Sequence, residues 1–336
     1  SIGAVRLLIA ARERGLDLTT RDVFRHRTVA ELARVARESA PEDEAAAPWE
    51  LPAPAALGAA TEGVPGGVEE VLPLSPLQAG FHARSLLDGP GRDAYVVQQV
   101  IDLAGELDSA RLREAARTLL RRHAPLRACF RTDPATGTAL QLVARDPALP
   151  WQEADLGNRP EGEREAPAAA LAEEERQRPF DPAEPPLLRC ALIRLGPGRA
   201  QLVLTFHHIV ADGWSLPVLH RELLAAYGGG ELPPVAPYRA HLAHLARQDA
   251  AAARDAWRAA LAGVEEPTRV VPGEAGAERP RPAHVRVELP GDATARLAAR
   301  ARELGVTPGT LVQTAWGLLA GRLTGRQDVL FGTTVS

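Results

Sequence analysis

The run "LLRCALIRLGPGRAQLVLTFHHIV" (187–210) constrains the fold of this chain more than any other stretch. Short apolar runs bounded by turn residues read as strands, and here two strongly apolar ones flank Gly196-Pro197-Gly198. Helical patterns stand on both sides of the pair. Upstream, Asp108 or Ser109 can cap a helix through His123 with Leu112, Ala115, Ala116, Leu119 and Leu120 on its apolar face. Downstream, "SLPVLHRELLAAYGGG" predicts a helix capped by Ser215, with Leu216, Leu219, Leu223 and Tyr227 on one face and three glycines at its end. The region is therefore a mixed α/β domain.

Its other elements follow from the same signals. "YVVQQVIDLAG" (95–105) predicts a strand, and "LRACFRTD" and "LQLVAR" predict two more around the "DPATGT" turn. An acidic helix is expected near 163–178. After a Pro-rich crossover (265–282), "HVRVELP", two helices (292–303 and 308–323) and "DVLFGTTVS" begin a similar unit, which ends before it could close a core.

The first 38 residues differ in texture. "SIGAVRLLIAARERG" places Val5, Leu8, Ile9 and Ala11 near one helical face and stops at Gly15. A helical turn is expected around Asp22–Phe24, and a second helix after Thr28, with Glu31 completing a capping box. Residues 39–67 are rich in Pro, Ala, Gly and acid, a composition that reads as a linker, although Trp49 and Leu51 could dock on a neighbour. The expected division is 1–38, a linker 39–67, 68–266 and 267–336.

The densest chemistry is "FHHIVADGWS" (206–215). It could be a metal site, a base with its support, or a strand end that contains histidine. In extended geometry His207 and His208 point to opposite faces, so they cannot share one ion, and no third ligand is evident. A hydrogen-bonded structural pair stays open. A strand that turns at Asp212-Gly213 into a helix start favours an active site, because side chains and backbone N–H groups converge there.

Composition removes several classes. The net charge is -4, which gives no support for a nucleic-acid partner. No apolar run approaches the roughly 18 residues that span a bilayer, and no secretory signal is present, so a cytoplasmic location is expected. The 2 cysteines, Cys129 and Cys190, sit in strand-like apolar surroundings and read as small buried hydrophobes. All 39 basic residues are Arg and Met is absent, as in GC-rich coding. With no initiator Met, the sequence is expected to be an excerpt of a longer polypeptide.

"HHIVADG" followed by "WS" resembles the HHxxxDG motif of condensation domains from nonribosomal peptide synthetases. Four further segments are similar in the same order. "LPLSPLQAGFHARSLL" (72–87) resembles the family's opening segment, and "RRHAPLRACF" (121–130) its RHExLRTxF segment with Ala124 in place of the acid. "RPFDPAEPPLLRCALIRL" (178–195) resembles its FDLxxGPLLR strand, and "DVLFGTTVS" a strand of its second lobe. In "YRAHLAHLARQD" (238–249) His241 and His244 replace aromatics of the family's YxDYAxW segment. Residues 1–38 resemble the second half of a peptidyl carrier domain, in which Ser1 would occupy the serine that carries 4'-phosphopantetheine.

The resemblance implies a two-lobed α/β (α+β) fold like chloramphenicol acetyltransferase, preceded by part of a helical-bundle carrier. It implies an acyltransferase that joins the acyl thioester on the upstream carrier to the amine of an aminoacyl thioester. His208 would be the reacting histidine, as proton acceptor or as holder of the amine. His207 would pack in the core. Asp212 would form an internal ion pair with an arginine, Arg127 first and Arg122 second. Gly213 would let the acceptor approach. No metal is expected. The implied partners are a downstream acceptor carrier domain, adenylation domains of the same synthetase, a phosphopantetheinyl transferase, and the aminoacyl or peptidyl thioester substrates. An epimerisation domain and a catalytically silent recruitment domain are the alternative readings.

Overall fold

A computed structural model describes residues 57–88, 95–271 and 286–333, together with 7, 11, 14–18, 22, 26, 28–38, 49 and 51. Two compact units divide the chain, 1–248 and 249–336.

In the first unit, β1 (Leu16–Asp17) pairs antiparallel with β2 (Arg37–Glu38), and α1 (Val29–Val35) lies between them in sequence. The capping box at the start of α1 forms as expected: Thr28 Oγ1 accepts from Glu31 N–H and Glu31 Oε2 accepts from Thr28 N–H, each at 3.2 Å. Ala11, Leu18 and Leu32 make a small core there. Ser1, Val5, Leu8 and Ile9 lie outside the described residues, and so does most of the expected first helix.

The segment expected as a linker is partly built into the domain. Leu57, Ala60 and Val64 are buried against Val71, Cys129, Leu140, Leu142 and Ala144, with Leu51 packed alongside. Its composition hides this because the three anchors are spaced among small residues. The strands they cover are β3 (Val68–Pro73), β5 (Ala128–Thr132) and β6 (Ala139–Ala144), an antiparallel sheet in the order β3-β6-β5. Leu72 and Val143 pack on Leu242, Trp49 and Tyr238.

The second sheet holds β4 (Val96–Ala104), β7 (Trp151–Asp155), β8 (Leu188–Gly196) and β9 (Arg199–His207) in the order β4-β9-β8-β7, with only β7 parallel to its neighbour. The first unit's larger helices are α2 (Pro76–Asp88), α3 (Ser109–Arg122), α4 (Glu165–Gln177), α5 (Ser215–Gly228) and α6 (Tyr238–Ala246). The β8–β9 hairpin turns through Gly196 and Gly198, whose φ values of 125° and 65° suit glycine. Its apolar runs are continuous because both faces are covered. Leu188, Cys190, Leu192, Leu202, Leu204 and Phe206 join the core made with α3 and α5. Ala191, Ile193, Leu195 and Val203 pack on Ala168 and Ala172 of α4. Helix α3 starts at the expected cap, where Asp108 Oδ1 accepts from Arg111 N–H at 3.0 Å. All five residues predicted for its apolar face are buried.

The second unit contains α7 (Ala250–Ala260), α8 (Gly291–Glu303) and α9 (Pro308–Thr324). The last two match the expected helices. Among its described residues only Ala301 and Ala320 are buried hydrophobics, while Trp257, Val312 and Leu318 stay exposed. The described parts of "HVRVELP" and "DVLFGTTVS", 286–290 and 328–333, are not in strands. Leu330 N–H, for example, donates to Thr268 Oγ1 at 2.7 Å instead of to a ladder carbonyl.

Candidate active site

Strand β9 ends at His207, and residues 208–210 form a turn before α5. Val203 lies on the α4 side of the sheet, and the pleat puts His207 on that side too, where it is 1% exposed. Its Nδ1 accepts from the Ile209 N–H at 3.0 Å, which places the proton of the neutral ring on Nε2. His208 is half-buried, and its backbone N–H donates to the Tyr95 carbonyl at 2.8 Å, one step beyond the regular ladder. Its Nδ1 is enclosed without a hydrogen-bond partner among the described residues.

Aromatic rings surround this pair. Phe81 stacks on His208 with centroids 5.5 Å apart and planes at 30°. Tyr95 meets Phe81 edge-on at 4.6 Å. Helix α2 carries Phe81 and begins with a reciprocal cap: Ser75 Oγ accepts from Gln78 N–H at 3.2 Å, and Gln78 Oε1 accepts from Ser75 N–H at 2.9 Å. Gln78 Nε2 then donates to the Ile209 carbonyl at 3.2 Å, joining α2 to the histidine turn. Sequence reasoning did not place Gln78 and Phe81 at the site. The Ser-x-x-Gln pattern of 75–78 was a visible helix-start signal, but the destination of the Gln78 amide was not.

Among the described residues Asp212 pairs with no arginine. Its Oδ1 accepts from Trp214 N–H at 3.1 Å, Ser215 N–H at 2.9 Å and Ser215 Oγ at 2.7 Å. Asp212 therefore closes the turn 212–215 that leads into α5; Trp214 stands at the cap position without a side-chain cap bond, and Ser215, expected as the cap, is the first helical residue, its Oγ accepting from Asp212 N–H at 3.2 Å. The two candidate arginines are engaged elsewhere. Buried Arg127 binds Glu69 Oε2 at 2.7 Å and the Ala144 carbonyl at 2.6 Å. Arg122 binds Glu222 Oε2 at 3.0 Å, and His123 reaches the same oxygen at 2.9 Å. The arginine hydrogen bond holds the Glu69 carboxyl below its ordinary range. Burial alone would raise Glu222, but the hydrogen bonds from Arg122 and His123 outweigh it and lower the carboxyl.

Gly213 is exposed, and a Cβ there would meet nothing within 4 Å. Neither packing nor a positive φ demands glycine at this turn. On α6, the Tyr238 and His241 rings lie 5.5 Å apart, so His241 keeps an aromatic contact. Burial holds His241 below its usual range, with the neighbouring His244 adding to the effect and Asp212 opposing it. Burial also pushes the Cys129 and Cys190 thiols up to about 11 and about 12, which makes both poor nucleophiles. Among the described residues no three His, Cys, Asp or Glu side chains gather as a metal site, and no helix is long and apolar enough to cross a membrane.

Residues 68–336 match the Condensation domain family. The chain belongs to that family. One of the linear gramicidin synthase proteins of Brevibacillus parabrevis is 34% identical over 286 residues, covering 81% of this chain and 4% of that protein. The AMB antimetabolite synthetase AmbE of Pseudomonas aeruginosa is 34% identical over 359 residues, covering 99% of this chain and 16% of that protein. The chain thus spans a small part of the length of these curated relatives. Among solved structures, the first condensation domain of the calcium-dependent antibiotic synthetase, in complex with substrate analogue 2a, superposes with a TM-score of 0.64 at 26% identity over 78% of this chain and 63% of that one. These matches place the chain among condensation domains of nonribosomal peptide synthetases.

Proposed function

We propose that this condensation domain forms a peptide bond between a donor acyl thioester and the amine of an acceptor aminoacyl thioester, with His208 at the reacting atoms. The observation that carries the reading is the division of labour in the pair: His207 is sealed and hydrogen-bonded through Nδ1, whereas His208 is half-buried at the strand end. With Nδ1 of His208 enclosed, Nε2 is the nitrogen left to meet a substrate. The acceptor nitrogen attacks the thioester carbon, the C–S bond breaks, and the proton lost by the amine ends on the departing thiol. His208 Nε2 holds the amine or relays that proton. The Asp212 hydrogen bonds keep the turn into α5 in place, and Gly213 leaves space beside it.

On this reading the donor arrives on an upstream carrier whose 4'-phosphopantetheine is attached at Ser1. That arm supplies the thioester that activates the donor. Support comes from the resemblance of residues 1–38 to a carrier domain and from the match to AmbE, which covers 99% of the chain and so extends upstream of residue 68. The acceptor comes on a downstream carrier.

The test is aminoacyl transfer between loaded carriers in the intact polypeptide. His208→Ala is expected to slow transfer by about 10²–10⁴-fold, the range for a lost general base or equivalent contact. Wild-type turnover by that variant would remove His208 from the mechanism. A product that is only inverted at a stereocentre, with no longer peptidyl thioester, would point to epimerisation instead.

A further inference from the structure

Among the described residues no side chain or carbonyl holds the His208 ring through a hydrogen bond at Nδ1. A working histidine commonly has its far nitrogen held by a carbonyl or carboxylate, which sets both tautomer and ring plane. Here Nδ1 is enclosed, and no described residue gives it an in-plane hydrogen bond to fix the ring. The Phe81 ring stacks on the His208 ring with centroids 5.5 Å apart and planes at 30°.

Phe81 is itself well held. The Tyr95 ring meets it edge-on at 4.6 Å, and the Tyr95 carbonyl anchors the His208 backbone at 2.8 Å. Gln78, three residues before Phe81 on α2, binds the carbonyl of Ile209, the residue next to His208. The backbone and the ring of His208 are thus referenced to the same two elements, α2 and the start of β4. A flat ring packed on an imidazole face blocks tilting about the Cβ–Cγ bond while leaving the imidazole edge free for substrate.

We propose that Phe81 is a positioning residue that sets the plane of the His208 ring by stacking on its face. The proposal rests on the reading that His208 works at the reacting atoms. It assigns a role to the aromatic ring itself and not merely to its volume.

The test compares Phe81→Leu, which keeps an apolar side chain, with Phe81→Tyr, which keeps the ring. Both are made in the intact polypeptide and assayed at a temperature where each retains the wild-type circular dichroism spectrum. Aromatic pair contacts are of a size that predicts a roughly three- to tenfold fall in kcat for Phe81→Leu, with acceptor KM little changed. Phe81→Tyr should restore kcat to within about twofold. In histidine-labelled protein, the His208 ring protons should lie upfield through the Phe81 ring current in the wild type and in Phe81→Tyr, and move downfield in Phe81→Leu. Wild-type kcat in Phe81→Leu, equal losses in the Leu and Tyr variants, or unmoved His208 resonances would each overturn the proposal. His208→Ala run alongside separates the two failures. Full turnover there overturns the role of His208, whereas loss there with full turnover in Phe81→Leu overturns only the positioning.

Discussion

Replacing Asp212 distinguishes a hydrogen-bonded turn from a buried ion pair. In the structure one carboxylate oxygen takes three hydrogen bonds, from Trp214 N–H, Ser215 N–H and Ser215 Oγ. Losing hydrogen bonds of this kind costs ~0.5–2 kcal/mol net. Loss of the negative charge just before α5 adds ~0.3–1 kcal/mol. Asp212→Ala should therefore cost about 1–3 kcal/mol. Asp212→Asn keeps an oxygen in the same place and loses only the charge, so it should cost no more than about 1 kcal/mol. A buried ion pair behaves differently: either substitution strands the arginine, at ~3–5 kcal/mol each. For a unit of this size 1 kcal/mol moves the melting temperature by roughly 2–4 °C. The assay is thermal unfolding of the intact chain, with hydrogen exchange at the Trp214 and Ser215 amides to report the turn locally. Faster exchange in Asp212→Ala and near-normal exchange in Asp212→Asn is the expected result. Equal losses of about 3–5 kcal/mol in both variants would refute this role of the turn.

Two further outcomes are expected. Arg127→Ala should destabilise the first unit by about 2–4 kcal/mol, since it strands the Ala144 carbonyl inside the sheet, whereas Glu69→Gln should cost under ~1 kcal/mol because the Glu69 side chain is 44% exposed; a urea series showing equal costs would contradict this. Stability should also fall on the acid side. Burial holds His82 and His220 below the ordinary 6.5, so the unfolded chain takes up protons first and stability drops as pH falls below about that value. The lowered Glu69 and Glu222 carboxyls add a second loss as pH falls below the ordinary 4.5. Denaturant midpoints between pH 7.5 and 5 should decline less steeply in His82→Gln, by up to ~1.4 kcal/mol per pH unit; an unchanged slope would show that His82 does not titrate with folding.

Much of this was legible in local pattern. The twin apolar runs around Gly196 and Gly198 became the hairpin β8–β9, and the cap and apolar face of α3 formed as spaced. Strand alternation alone separated His207 from His208, because a pleat sends neighbours to opposite faces whatever surrounds them. The helices 291–303 and 308–324 were equally visible. What the local pattern could not supply was the partner of each long-range group. Arg127 and Asp212 looked complementary, yet Arg127 found Glu69 and the Ala144 carbonyl, and Asp212 closed a three-residue turn on itself. Leu57, Ala60 and Val64 sit in a composition that reads as linker, and only the open face of the β3-β6-β5 sheet gave them a place to bury. Phe81 reaches His208 across 127 residues of chain through the packing of α2 on the histidine turn. Periodicity and caps are properties of a few consecutive residues and are settled in sequence. The choice among several possible charges, faces and rings depends on distance in space, and only the tertiary structure decides it.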